Sequence, residues 1–382
     1  MSSRRNFLKR LTGATAGMWM GGGIVDSSFA MLQQPAAPRP ARWQVSVGGR
    51  RVRTVDVHAH MQFPDFWKVV PRDYPLPDYV QAAAQTYRKQ PTTFDPHGSV
   101  VDQLLRDMDA MGLDMRAMSM NPPPYWVVEP ELARQVIRVQ NEKLAELVAA
   151  HPDRFVGLGN LALHHPVLAV EQMDEGIRKL GLRGFMMGGS VNGEELSSTK
   201  FHQVWAKADQ LGAVFFIHPW GFNGTYDLRP GQPRFGGNGQ LGNVIGNPLE
   251  TTIALSHLIQ EGTLDLFPNL KIIAAHGGGF LPSYAGRSDQ CLVQFPDACK
   301  PLKKKPSEYL KQLYFDSMVF TAEGLRHLIA EVGVSQIMIG TDGTRWNYEA
   351  VNRVLAVPGL SEADQIAILG GNAAKLLRLS YS

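Results

Sequence analysis

The sequence predicts a single-domain α/β protein, a (β/α)8 barrel, from two observations. Eight short segments rich in β-branched and aromatic residues recur along the chain, each bounded by glycine, proline or polar turns. Segments with helical periodicity lie between them, and this alternation is typical of a parallel sheet. Eight such units over roughly 330 residues favour a closed barrel over an open, doubly wound sheet.

The eight predicted strands are short. The first, "VDVHAH", alternates aliphatic with polar residues and places Asp56, His58 and His60 on one face. In chain order the predicted strands end at His60, Asn121, Leu161, Gly189, Pro219, Gly278, Val319 and Asp342.

Amphipathic helices are predicted between most of these strands. The longest, "LARQVIRVQNEKLAELVAAHP", precedes the third strand, and several others end in glycine or His-Pro stops. A Pro/Gly-rich insertion at residues 221–247 follows the fifth strand. An insertion of this length suits a lid or an oligomer contact over the site.

Residues 1–30 resemble a twin-arginine export signal. Arg4 and Arg5 precede a Gly-rich apolar stretch, and Ser28 and Ala30 occupy the small-residue positions of a cleavage site. We expect passage through the twin-arginine translocase to the periplasm, with an uncleaved anchor as the alternative. A proline-rich, extended leader over residues 31–51 would then precede the barrel at residues 52–382.

Charge and composition exclude several classes of protein. The predicted signal carries four cations and one acid, so its net charge equals the formal +3 of the whole chain. The mature chain is therefore neutral, which gives no electrostatic case for nucleic acid. No apolar run reaches the ~18 residues of a membrane span. Cys291 and Cys299 are too few for a disulfide scaffold, and the sequence leaves their pairing open.

Five potential metal ligands or bases lie where predicted strands end. Functional groups collect at the carboxyl ends of barrel strands, so these side chains should converge on one rim. Neutral imidazoles with a carboxylate suit Zn²⁺ best, with Mn²⁺, Fe²⁺ or Co²⁺ as alternatives. The residues are His58 and His60 on the first strand, His218 on the fifth, His276 on the sixth and Asp342 on the eighth.

The segments "VDVHAH", "IHPW", "AAHGGG" and "IGTD", in this order, resemble the amidohydrolase superfamily. More narrowly, "AAHGGGFLPSYAGRSD" and "KPSEYLKQLYFDS" are similar to the family of 2-amino-3-carboxymuconate 6-semialdehyde decarboxylase. The resemblance implies that one metal ion is held by four residues, with His276 outside them as general base. The fourth strand, "GFMMGG", has no lysine to bridge a second metal. The implied ligands are His58, His60, His218 and Asp342.

The resemblance implies a decarboxylase that acts on a small unsaturated or aromatic carboxylate through a metal-bound hydroxide. A hydrolase of a lactone, ester or amide would need the same site, so it remains the alternative. A binding protein that has lost turnover is a third hypothesis, which the complete ligand set beside His276 disfavours.

Three residues are candidates for substrate binding. Trp220 could form the wall of a pocket for a planar substrate, or it could anchor a loop. By resemblance, Arg287 reaches the active site of a neighbouring subunit in a homodimer; otherwise it forms a surface salt bridge. Arg345 stands where the family has an aromatic residue and could bind a carboxylate, or pair with an acid on the rim. Asp56 and Asp316 are candidates to hydrogen-bond behind the ligands.

Overall fold

Eight parallel strands form one sheet in the computed structural model, which describes residues 41–89, 93–121, 123–219, 241–299, 302–343 and 346–380. Each strand pairs with the next along the chain, and a bridge from Asp56 to Ile339 joins the last strand to the first. The predicted (β/α)8 barrel is confirmed. The strands are β1 (Val55–His60), β2 (Met115–Ser119), β3 (Phe155–Gly159), β4 (Gly184–Met187), β5 (Val214–Ile217), β6 (Lys271–Ala274), β7 (Tyr314–Asp316) and β8 (Ile337–Met338).

Helices connect these strands, and their ends follow local sequence signals. Helix Pro130–Ala150 begins with a proline, and helix Ser99–Met111 ends at Gly112, whose φ of 72° is left-handed. The α-helices are Asp78–Lys89, Ser99–Met111, Pro130–Ala150, Pro166–Arg178, His202–Leu211, Asn247–Gln260, Thr263–Leu266, Ala285–Asp289, Cys291–Gln294, Pro296–Cys299, Ala322–Val332, Ala350–Leu355, Glu362–Ile366 and Asn372–Leu377. The 3-10 and π helices are Pro64–Lys68, Thr199–Phe201, Gly242–Gly246, His276–Gly278, Pro282–Tyr284, Pro306–Gln312, Val334–Gln336 and Ala367–Gly371.

Successive residues of a strand face opposite sides of the barrel wall. Phe216 in β5 lies beside His58, with ring centroids 4.8 Å apart. Its neighbour Phe215 packs edge-on against Trp205 of helix His202–Leu211, at 5.2 Å. The alternation of the sequence therefore separates an interior that carries the site from an outer layer that packs on helices.

Gly184 in β4 is required by the spacing of the barrel wall. A Cβ atom at this position would lie 1.9 Å from the carbonyl oxygen of Val214 in β5. We expect Gly184→Ala to lower the free energy of unfolding by about 3 kcal/mol or more, because neither backbone can move without breaking the ladder. Urea unfolding would measure this. Gly286→Ala, where nothing lies within 4 Å, is the control and should unfold like the wild type.

Residues 41–51, which belong to the predicted leader, pack against the barrel. Ser46–Val47 pairs with Arg50–Arg51 as a short hairpin, and Val45 and Val47 are buried. Arg42 and Arg51 both form ion pairs with the buried Asp114 at the start of β2. This segment is therefore attached to the end of the barrel opposite the carboxyl ends of the strands.

Cys291 and Cys299, whose pairing the sequence leaves open, form a disulfide with their Cα atoms 6.1 Å apart. Among the described residues, no helix combines the length and apolar character that crossing a membrane requires. Of the predicted insertion, residues 241–247 are described and are helical. The remainder of the insertion and the predicted signal lie outside the described residues.

Candidate metal centre

Four predicted ligands meet at the carboxyl ends of the strands. His58 and His60 belong to β1, His218 follows β5 and Asp342 follows β8. Each offers one ligand atom, and these four atoms all lie within 4.8 Å of one another. The convergence follows from topology, because parallel strands of a barrel end on the same rim.

The ring of His58 is oriented by a buried carboxylate. Its Nδ1 lies 2.5 Å from Oδ2 of Asp316 in β7, and both side chains are fully buried. Because the carboxylate can only accept, Nδ1 carries the proton. The other nitrogen, Nε2, faces the cluster at 3.4 Å from Oδ1 of Asp342. This arrangement leaves a lone pair on Nε2 for a cation.

The ring of His60 is oriented by a hydroxyl group. Its Nδ1 lies 2.8 Å from Oγ of Ser119, and the same Oγ donates its hydrogen to the carbonyl oxygen of Ala59 at 3.1 Å. Since a hydroxyl has only one hydrogen, Oγ accepts from Nδ1–H of His60. The Nε2 atom then faces Oδ1 of Asp342 at 3.4 Å.

His218 supplies the clearest sign that a cation belongs here. It is buried, and neither ring nitrogen has a hydrogen-bond partner among the described residues. Burial and the neighbouring imidazoles of His60 and His58 hold its pKa well below the usual value, so the ring is neutral. A buried, neutral imidazole whose lone pair has no hydrogen-bond donor is suited to bind a metal ion.

The charges around the cluster show what a cation would replace. Burial lowers the pKa of His58, but the carboxylates of Asp342 and Asp316 outweigh burial and raise it to about 10. Burial raises the pKa of Asp342, yet the imidazoles of His58, His276 and His60 hold it well below its usual value. The two carboxylates thus favour a positive charge at this cluster, which a proton on His58 can supply. A divalent ion would displace that proton.

His276 lies at the edge of this group rather than within it. Its Nε2 is 4.0 Å from Oδ2 of Asp342, and its ring centroid is 5.2 Å from that of His58 and 5.3 Å from that of His218. His276 and Asp342 both have left-handed backbones, with φ of 55° and 52°. Backbone strain of this kind concentrates at functional sites, where the surrounding structure enforces it.

Asp316 connects the ligand His58 to the segment that carries His276. Oδ2 accepts from His58 and, at 2.9 Å, from the backbone nitrogen of His276, while Oδ1 accepts from that of Gly277 at 2.8 Å. One carboxylate thereby sets the distance between a ligand and the candidate base.

We expect Asp316→Asn to weaken metal binding by roughly 10–100-fold, because the amide cannot replace the charged acceptor of His58 Nδ1–H. Competition against a coloured chelator would measure the affinity. Asp289→Asn is the control, since Asp289 accepts from the backbone and the hydroxyl of Ser307, both at 2.8 Å. Equal affinity in wild type and Asp316→Asn would contradict the prediction.

The structure describes one of the three candidate substrate-binding residues, Arg287. Arg287 lies in helix Ala285–Asp289, is exposed, and forms no ion pair with any described residue. The structure therefore does not show the surface salt bridge that the sequence left open. Trp220 and Arg345 lie outside the described residues. Among the described residues, the group of histidine and acidic side chains that could hold a metal ion is His58, His60, His218 and Asp342.

Ser119 is the orienting residue that the sequence analysis missed. It ends β2 at the same rim as the ligands, so its position at a strand end was a usable signal. A serine at a strand end is a weaker signal of a metal site than a histidine, because its hydroxyl does not itself suit Zn²⁺ or Mn²⁺. Its role depends on the pairing of β1 with β2, which places Ser119 opposite His60.

The donor set of three imidazoles and one carboxylate fits a borderline divalent cation such as Zn²⁺, Mn²⁺, Fe²⁺ or Co²⁺. The orientations of His58 and His60 and the unpartnered nitrogens of His218 satisfy the same requirement independently. The residues present therefore fit a single divalent metal ion.

Known proteins share this architecture. The chain matches the amidohydrolase family model over residues 55–379. It is 30% identical to the 2-amino-3-carboxymuconate-6-semialdehyde decarboxylase of Dictyostelium discoideum over 283 residues, which cover 73% of this chain and 76% of that protein. It is 29% identical to the gamma-resorcylate decarboxylase of Rhodococcus jostii, with coverages of 73% and 88%.

A solved structure gives a further comparison. The 5-carboxyvanillate decarboxylase of Novosphingobium aromaticivorans, complexed with manganese and 4-hydroxy-3-methoxy-5-nitrobenzoic acid, superposes with a TM-score of 0.71 at 23% identity. The alignment covers 88% of this chain and 99% of that one. At this identity the likeness to the solved structure supports the fold alone. The family model and the two relatives support membership of the family. The chain therefore belongs to the amidohydrolase family and, within it, to the decarboxylases.

Proposed function

We propose that this protein decarboxylates a small aromatic or unsaturated carboxylic acid with one divalent ion held by His58, His60, His218 and Asp342. The observation that carries the proposal is the convergence of these four ligand atoms within 4.8 Å, beside a histidine that is not among them. The relatives with decarboxylase activity supply the reaction type.

A bound divalent ion supplies a Lewis acid that can hold and polarise an oxygen of the substrate. Loss of CO₂ breaks a carbon–carbon bond and leaves its electron pair on the carbon, which must then receive a proton. His276 is the residue that we propose to carry this proton, because its ring borders the cluster without belonging to it. Asp316 keeps the backbone of His276 in place through the hydrogen bond to its nitrogen.

For the ion we propose Zn²⁺ or Mn²⁺. The donor set admits both, and the related 5-carboxyvanillate decarboxylase contains manganese. Trp220, Arg287 and Arg345 remain our candidates for substrate contacts. If Arg287 acts as the resemblance implies, it would do so across a homodimer.

The proposed function is tested with a panel of hydroxybenzoates, carboxyvanillate and unsaturated dicarboxylates. We expect at least one acid to release CO₂ and the decarboxylated product in equal amounts. The Asp342→Ala protein serves as the control for contaminating activity. Hydrolysis of lactones, esters or amides by the same preparation, with no CO₂ from any acid, would favour the hydrolase alternative.

We also propose that the protein is exported to the periplasm by the twin-arginine pathway. The disulfide between Cys291 and Cys299 supports an oxidising compartment, where such bonds persist. We expect a mature N-terminus near Met31 and loss of export when Arg4 and Arg5 both become lysine. Mass spectrometry of periplasmic and cytoplasmic fractions would measure both. A cytoplasmic protein that retains residues 1–30 would contradict the proposal.

A further inference from the structure

A buried ion pair lies behind the ligands and has no part in the chemistry described above. Asp56 in β1 and Arg116 in β2 are opposite each other in the register of the two strands, and neither is exposed to solvent. Nε of Arg116 donates to Oδ2 of Asp56 at 2.9 Å. Because burying two charges costs desolvation, such a pair is weak evidence for stability and calls for another explanation.

The carboxylate of Asp56 accepts hydrogen bonds from the backbone of one ligand and from the backbone of the residue that precedes another. Its Oδ1 accepts from the backbone nitrogen of His58 at 3.0 Å and from that of Thr341 at 3.1 Å. Its Oδ2 accepts from Oγ1 of Thr341 at 2.6 Å, and Nη2 of Arg116 donates to the same hydroxyl at 3.2 Å. Thr341 directly precedes the ligand Asp342. The three side chains of Asp56, Arg116 and Thr341 therefore hold β1 and the end of β8 together.

The backbone pairing of β1 with both of its neighbours is irregular near His58. The register of β1 against β2 shifts between Asp56 and Ala59, so the ladder is irregular where His58 lies. On the other side, β8 ends at Met338, and the residues after it meet β1 through a bridge to Ile339. Two backbone hydrogen bonds of 2.8 Å join the same segments, from the nitrogen of Val57 to the oxygen of Ile339 and from the nitrogen of Asp342 to the oxygen of His58. The hydrogen bonds of Asp56 with Thr341 add to these few backbone contacts where the ladder is irregular.

We propose that Asp56, Arg116 and Thr341 form a positioning triad that sets the spacing of His58 and Asp342 and thereby the affinity for the metal ion. The inference rests on the proposed function, because it needs the four-residue metal site. Arg116 balances the charge of Asp56 and orients the hydroxyl of Thr341. It touches neither ligand side chain, so its effect on the ion is exerted through Asp56 and Thr341.

The test measures metal affinity and thermal stability of the metal-free protein, without any assay of turnover. Mn²⁺ and Zn²⁺ are titrated into wild type, Arg116→Met, Thr341→Val and Thr341→Ser. We expect the affinity to fall at least about 10-fold in Arg116→Met and Thr341→Val. Thr341→Ser keeps the hydroxyl and should bind both ions with the wild-type affinity.

Arg154→Met is the matched control. Arg154 forms a comparable, nearly buried pair with Asp109 at 2.8 Å, away from the ligands. We expect this variant to lower the Tm and leave metal affinity unchanged. The proposal is overturned if Thr341→Val binds metal like wild type, or if Arg154→Met weakens binding equally, since affinity would then only follow stability. Wild-type protein that binds neither ion would overturn the proposed function and this inference together. If the wild type binds metal and the variants do not behave as expected, only the inference about the triad fails.

Discussion

Asp342→Ala protein is expected to retain less than about a tenth of the wild-type metal and to show no turnover, since losing a ligand removes part of the ion's binding energy. Asp342 is the only anionic member of the four-residue group. Without it, the remaining three ligands are imidazoles and none of them is anionic. Elemental analysis of dialysed protein would measure the loss, and His58→Ala should behave in the same way.

Asp174→Ala is the control for this experiment. Asp174 forms ion pairs with Arg178 and Lys207 on the surface and lies outside the cluster. Its replacement should leave one metal ion per chain. Full metal content in Asp342→Ala would remove Asp342 from the ligand set, and two tightly bound ions in wild type would contradict the single-metal site.

His276→Asn is expected to keep one metal ion per chain and to lower kcat by roughly 10²–10⁴-fold, the usual contribution of general acid–base catalysis. Metal is retained because His276 borders the cluster without belonging to it. Asparagine tolerates the left-handed backbone at this position, with φ of 55°, better than alanine, and it cannot carry the proton.

His327→Asn provides the comparison for His276. His327 is a half-buried histidine in helix Ala322–Val332, where its Nε2 lies 3.1 Å from Oγ of Ser283. Its replacement should leave kcat and metal content unchanged. If His276→Asn instead lost its metal as Asp342→Ala does, His276 would be a ligand rather than the proton carrier.

The fold and the site's location were predictable from local features of the chain. The periodicity of apolar residues indicates strands and helices over short distances. Eight repeats of a strand followed by a helix favour a closed barrel. His58, His60, His218 and Asp342 each end a predicted strand, so barrel topology alone brings them together.

The substrate contacts were less predictable, because they depend on loops rather than on strand ends. Arg287 proved to be exposed, with no ion pair to any described residue. Its role would depend on a second subunit, which no pattern within one chain encodes. Trp220 and Arg345 follow β5 and β8 in loop positions, and their contribution stays a prediction.

By itself, the sequence predicted the eight strands, the residue types at their ends and hence a candidate site for one divalent ion. Only the tertiary structure decided which nitrogen of His58 and of His60 faces the cluster. His58 and Asp316 are separated by 258 residues, and His60 and Ser119 by 59, so barrel closure and strand register create these hydrogen bonds. Arg116 shows the same limit, because a charged residue within a strand acquires its partner Asp56 only when two strands pair in one register. Side-chain periodicity is a local property, whereas the protonation and orientation of ligands depend on contacts between distant segments.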